Sequence, residues 1–164
     1  MGLFGKNSVP TKIKNDRKIS IKELVGKKYD EYYKAIFEKF DEGNKSNFNI
    51  YACIFAPYWL IYKRMTFTGI SVIGLQVILS IFAYYLTGPI TVGIYISSYI
   101  LYLLTGVYGE YMYYKKILSN MEFSQQIDDK FKDRFLKDKS GDDIYMTIVW
   151  IVGTIIIYLV AYFL

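Results

Sequence analysis

No formal charge falls between Arg64 and Glu110. That interval constrains the fold more than any other feature. It is too long for one buried helix and long enough for two passes through hydrocarbon. Thr66–Thr87 has 22 residues, about 33 Å of helix at 1.5 Å per residue, against a bilayer core of about 30 Å. Thr87-Gly88-Pro89 then interrupts the run. Glycine suits the C′ position of one helix and proline the first turn of the next. Pro89–Tyr108 is again uncharged and long enough, so a tight helical hairpin is expected. Ile144–Leu164 predicts a third span. Charges are confined to the intervals, as expected where hydrocarbon rejects charge and offers the backbone no partners. The expected class is an all-α membrane protein.

Hydrophobic residues make up 53% of the chain and aromatics 19%, above the usual apolar share of soluble domains. Cys53 is the single cysteine and there is no histidine. An internal disulfide and a cysteine metal cluster are thereby excluded, and the commonest metal ligand and general base are missing. No paired carboxylates, phosphate loop or nucleophile–base set stands out, so neither an enzyme nor a cofactor is expected. Net charge is +5, but acids interleave with the lysines, which argues against a nucleic-acid face. Lysines facing anionic lipid explain the basic balance more simply. Residues 1–47 are polar and lysine-rich, without a secretory apolar region, and Lys6 breaks the myristoylation pattern.

Phe48–Met65 decides the topology. Its apolar part, Phe48–Tyr62, would span about 22 Å as helix, short of the hydrocarbon core. Phe48, Tyr51, Phe55, Tyr58, Trp59 and Tyr62 fall on one arc of a helical wheel. Tyrosine and tryptophan favour the headgroup boundary, and Pro57 removes a helical hydrogen bond. An interfacial helix or shallow re-entrant turn over 48–65 is expected. Charge supports it: of the 20 Lys and Arg, 11 precede Phe48, two are Lys63-Arg64 and seven lie in Gly109–Asp143. If 48–62 does not cross, all lie on one side, which predicts N-terminus in, Gly88 out, the charged segment in and C-terminus out.

Residues 1–19 are expected to be poorly ordered. Ser20-Ile21-Lys22-Glu23 fits a capping box, and Val25, Tyr29, Tyr32, Tyr33, Ile36, Phe37 and Phe40 recur at helical spacing. An amphipathic helix over 20–42 is expected, weakened by Gly26 and stopped at Gly43-Asn44. Its stripe suits packing on the protein or its membrane surface better than a partner. In 110–143, Phe123, Ile127, Phe131 and Phe135 predict a second amphipathic helix along the membrane surface. Residues 139–143 break it, and Asp142 or Ser140 can cap the final helix. The organisation expected is thus 1–47, 48–65, 66–109, 110–143 and 144–164.

No acid or base lies inside the three runs, which weighs against a proton-coupled carrier. Gln76, Ser80, Ser97, Ser98, Thr105 and Thr154 are the polar groups at depth. They either line a small-solute path or make interhelical hydrogen bonds, worth about 0.6 kcal/mol on average. Gly93, Ser97, Thr105 and Gly109 form a small-residue stripe that suits packing or a homodimer. Tyr108 to Lys116 reads as an aromatic belt followed by headgroup lysines, with Glu110 placed to pair with Lys63 or Arg64.

Phe48, Asn49, Ala52, Phe55, Pro57, Trp59, Leu60, Tyr62, Lys63-Arg64 and Met65 fit the pattern F-N-W-A-A-F-x-F-G-P-x-W-L-L-Y-R-K-M. Gly109, Glu110, Tyr113 and Tyr114 follow G-N-x-x-Y-Y, with Glu110 in place of Asn. Ile50, Tyr51 and Ala56 are further departures. Over Val25–Ile117 the chain therefore resembles a family of small bacterial membrane proteins known as domain of unknown function 2628. The resemblance implies an integral membrane protein with no known reaction. Some relatives carry a zinc ribbon that this chain lacks. The resulting expectation is a multi-pass protein of the bacterial cytoplasmic membrane that binds lipid, a second copy or a membrane protein partner. The candidate face is Phe48, Asn49, Phe55, Pro57, Trp59, Tyr62, Lys63, Arg64, Gly109, Glu110, Tyr113 and Tyr114. A small-solute permease using Gln76, Ser97 and Thr105 is the alternative, and an immunity or stress-resistance protein a weaker one.

Overall fold

The computed structural model describes residues 20–86 and 88–163, so the expectations for 1–19, Thr87 and Leu164 fall outside it. Among the described residues the fold is entirely helical. A helical turn over 20–25 ends at Gly26, whose φ of 78° breaks the expected continuous helix. The chain re-enters as a π turn, Tyr29–Tyr33, and continues as α1, Lys34–Asp41. Gly43, at φ 105°, ends α1: Gly43 N–H donates to Phe40 O and Asn44 N–H to Lys39 O. This is the Schellman stop that the sequence suggests.

The short apolar segment is two helices, α2 (Ile50–Ile54) and α3 (Ala56–Tyr62). The break is at Phe55; Pro57 lies in the first turn of α3, where no hydrogen bond is lost. The aromatic arc divides. Phe48, Tyr51 and Phe55 are exposed, whereas Trp59 is buried. The inner side is Ala52, Ala56, Leu60 and Ile61, packed on α4 (Thr66–Tyr85) and on α5 (Pro89–Ser124). Gly69 makes the α3–α4 contact possible. A Cβ there would lie 2.6 Å from Ile61 Cγ1 and 2.6 Å from the Pro57 carbonyl oxygen. Gly69→Ala is therefore expected to lose about 1–3 kcal/mol by overpacking. Gly93→Ala, with nothing within 4 Å, should not lower the thermal unfolding temperature in detergent.

Gly88, at φ 80°, is the N-cap of α5 rather than the C′ residue of α4, and Pro89 opens the helix. α5 has 36 residues, about 54 Å, so it runs well past its apolar half. α4 and α5 are each long and apolar enough to cross a membrane. A third crossing arises if α6 (Asp129–Lys139) and α7 (Ile144–Phe163), bent by 45° at their junction, count as one span.

The expected 123–135 amphipathic helix is not one helix. Phe123 ends on α5, the chain turns over 125–128, and Phe131 and Phe135 lie on α6. The four-residue repeat reflects two helices meeting: the Phe123 and Phe135 rings are 5.3 Å apart. α6 packs back on α5 and its Leu136 joins the core. The cap of α7 is Asp143, not Asp142 or Ser140: its Oδ1 accepts from Met146 N–H at 3.0 Å. Among the described elements α7 packs on α3 alone.

The core lies between the π turn, α1 and the polar half of α5. Tyr33, Phe37 and Phe40 interleave with Tyr113, Tyr114, Ile117 and Met121. The Phe37 and Tyr114 rings are 5.0 Å apart, and those of Tyr33 and Tyr113 5.3 Å. The stripe of the first amphipathic segment thus packs on the protein itself. In contrast, α4 buries only Gly69, Ile73 and Ala83.

Candidate functional site

Two polar clusters sit where α2 and α3 meet the middle of α5. The first surrounds Glu110, which is fully buried. Glycines permit it. Gly106 lets α2 approach until a Cβ would be 2.7 Å from Cys53 Cβ, and Gly109 admits the Trp59 ring at 3.0 Å. Asn49 is then fixed three ways. Its N–H donates to Gly106 O at 2.8 Å, its Oδ1 caps α2 at Ala52 N–H, and its Nδ2 donates to Glu110 Oε1 at 2.7 Å. Tyr32 O–H donates to the same Oε1 at 2.7 Å, and Asn47 Nδ2 donates to Oε2. Burial, with Glu110 alongside, raises the Tyr32 phenol well above its usual range. Glu110 therefore takes three side-chain donors and does not pair with Lys63 or Arg64. Both basic residues end α3 with their cations directed toward the loop before α7.

The second cluster surrounds Lys63, also buried. Its ammonium lies 4.9 Å from the Tyr33 ring centre, 5.2 Å from Tyr62 and 5.1 Å from Tyr113. Such cation–π contacts strengthen as water is excluded. Asp142 closes the cage, accepting from Lys63 Nζ at 2.6 Å and from Lys28 Nζ at 3.1 Å. Burial pushes the Lys63 ammonium down, and Asp142 only partly opposes this. At Asp142 burial acts upward, but the hydrogen bond and charge of Lys63, with Tyr62 and Lys28, hold the carboxyl below its ordinary value. Both partners shift down because the lysine is the more enclosed: its side chain is 4% exposed, that of Asp142 16%.

Arg64 follows in the left-handed region at φ 58°. It is the C′ residue of a Schellman turn: Met65 N–H donates to Leu60 O and Arg64 N–H to Ile61 O. Its guanidinium reaches Asp143 at 3.7 Å, and its Nε donates to Gly141 O at 3.3 Å. Lys116 Nζ donates to Lys63 O at 2.8 Å, placing a cation at the C-terminus of α3. Burial first, then the charges of Arg64, Lys139 and Lys63, push the Lys116 ammonium down to about 8. A ¹³C-methyl-lysine NMR titration should therefore give Lys116 a midpoint near 8, against an ordinary lysine near 10.5.

Both clusters are built around Phe48–Met65 and Gly109–Tyr114, with members added from outside these stretches. A family model described as "Protein of unknown function (DUF2628)" matches residues 23–118, more than half of the chain. The chain belongs to the DUF2628 family. No curated protein and no solved structure matches it. Within the DUF2628 region Asn49, Trp59, Lys63, Gly109, Glu110 and Tyr113 come together, while Phe48 and Phe55 stay outside and exposed. Tyr114 turns the other way, to Phe37, Phe40 and Asp41. Asp142 and Asp143 lie beyond the DUF2628 match, yet they hold its basic pair.

The intramembrane candidates do not converge. Ser80, Ser97, Thr105 and Thr154 each donate to the carbonyl four residues back in their own helix. The small-residue stripe divides: Thr105 and Gly109 are buried under α2 and α3, and Gly93 and Ser97 face outward. Gln76 is half-buried on α4. Sequence reasoning missed Lys28, Tyr32, Tyr33, Asn47, Lys116, Asp142 and Asp143 as site members. One signal was present: Lys63-Arg64 and Asp142-Asp143 are complementary doublets, each just before a long apolar helix.

Proposed function

We propose that this DUF2628 protein is a multi-pass membrane protein with a non-enzymatic interaction or scaffold role, and that the π turn, α1 and the polar half of α5 form a helical cap on its cytoplasmic face. The carrying observation is where the apolar surface lies. The core is in the cap, whereas the long helices keep Ile78, Phe82, Ile100, Leu103, Ile155 and Leu159 largely exposed. Such a surface needs a lipid solvent. The charge distribution supports a cytoplasmic cap and an outer Gly88 turn. The non-enzymatic reading is supported by Glu110 and Asp142, whose oxygens are engaged in holding the cap to α2, α3 and α7. The cap's charged exterior is then the surface left for lipid or a protein partner.

The test combines extraction with cysteine accessibility in a Cys53→Ala background. The protein should resist alkaline carbonate extraction. With Gly88→Cys an impermeant maleimide should label intact cells, and with Lys130→Cys only permeabilised ones. Extraction by carbonate would sink membrane insertion, and the reversed labelling pattern would sink the orientation.

A further inference from the structure

Where α3 and α6 end, cations outnumber carboxylates. Lys63 and Lys28 already share Asp142. That leaves Asp143 as the carboxylate acting on Lys116, against the charges of Arg64, Lys139 and Lys63. Arg64 holds it loosely at 3.7 Å, and its Oδ1 is committed to capping α7. Lys116 has a peptide oxygen as its hydrogen-bond partner, and Lys139 is exposed in the last turn of α6. One turn beyond Lys116, on the same face of α5, the Asn120 amide nitrogen is enclosed and has no acceptor among the described residues. The region is therefore short of anionic oxygen.

Its depth identifies the source. Arg64 stands two residues before α4 and Asp143 one residue before α7. If these helices enter the bilayer, the three cations sit at headgroup level, within the few ångströms outside the hydrocarbon core. The Schellman turn fixes the Arg64 backbone, and Gly141 O holds Nε, so the guanidinium is pre-positioned.

We propose that Arg64, Lys116 and Lys139 bind the phosphate of an anionic phospholipid, whose oxygens supply the acceptors that the cluster lacks. The site rests on the membrane reading above and names its ligand. Charge-assisted bonds from a guanidinium and two ammonium groups suit a phosphodiester. The bound lipid would join the end of α3 to α5 and α6, and so brace the cap against the bilayer. Each cation near an anionic surface contributes roughly a fivefold preference.

The experiment uses the full chain in nanodiscs of phosphatidylcholine, with and without phosphatidylglycerol, read by native mass spectrometry and the Lys116 titration. Phosphatidylglycerol should remain bound on release from the disc and move the Lys116 midpoint upward. Lys116→Gln with Lys139→Gln should weaken retention about 25-fold. Lys34→Gln with Lys39→Gln, on exposed positions of α1, should not. Equal loss from the two double variants would mean a diffuse surface charge and overturn the site. Inorganic phosphate shifting the midpoint equally in pure phosphatidylcholine would overturn the lipid as source. A protein that inserts into discs but shows no phosphatidylglycerol preference refutes this proposal and leaves membrane insertion standing; failure to insert refutes both.

Discussion

Glu110→Ala is expected to lower stability by about 3 kcal/mol, whereas Glu110→Gln should cost about 1 kcal/mol or less. The difference follows from which donors can adapt. Alanine leaves a void and removes the 2.7 Å acceptor of Asn49 Nδ2, so that this buried amide keeps only its long bond to the Tyr32 hydroxyl at 3.4 Å. Asn49 cannot turn its amide round, because Oδ1 caps Ala52 N–H. A buried donor left so poorly satisfied loses part of the about 1–3 kcal/mol that an unsatisfied one costs, and the cavity supplies the rest. Glutamine keeps an oxygen toward Asn49 and Tyr32. Its new amide nitrogen faces Asn47, which makes no second side-chain bond among the described residues and can rotate to present Oδ1. Thermal unfolding in one detergent measures both variants. If glutamine proves as damaging as alanine, the carboxylate's charge outweighs the geometry of its donors.

The long helices were legible because their signal is local: a charge-free run of sufficient length specifies α4, the first half of α5, and α7. Gly43 and Pro89 were legible for the same reason, since left-handed geometry and a missing N–H act at one residue. The cap was not, because its organisation depends on contacts distant in sequence. Periodicity over 20–42 identified the buried stripe, but it could not show that the left-handed Gly26 divides the segment. Phe123 to Phe135 kept a helical spacing across a turn, as facing aromatics on two antiparallel helices can do. For Glu110, charge complementarity favours Lys63 or Arg64, and the structure gives it neither. Its real partners are neutral amides and a phenol, whose hydrogen-bonding leaves no trace in a charge count. The charged doublets carry the signal: Lys63-Arg64 is answered by Asp142-Asp143, 79 positions on in each case. By position both basic residues are headgroup cations, although the Lys63 charge is enclosed inside the protein.

Lys63→Met is expected to destabilise the protein by about 3 kcal/mol, the lower end of the range for breaking a buried pair. Methionine fills the space between Tyr33, Tyr62 and Tyr113 with a similar stem, so packing changes little. What is lost is the cation that three rings and Asp142 face. Lys28 remains on Asp142, but its side chain is 57% exposed, and a pair with so exposed a partner contributes little. Asp142→Asn should therefore be costly in the native background and nearly neutral alongside Lys63→Met. An interaction energy above about 1 kcal/mol in this cycle would establish the pair, and additivity would reject it. The pH dependence carries the same signature. The Asp142 carboxyl is held below its ordinary 3.8 in the folded protein, so its contribution is complete above 3.8. It is lost as pH falls through the lower folded value, where the unfolded chain has already taken up the proton. Lys63, lowered by burial, acts in a separate window: it adds stability as pH rises through its folded value toward 10.5. Without Lys63 the folded Asp142 value rises, so acid unfolding of Lys63→Met should begin at a higher pH than in the native chain, and its alkaline gain should shrink.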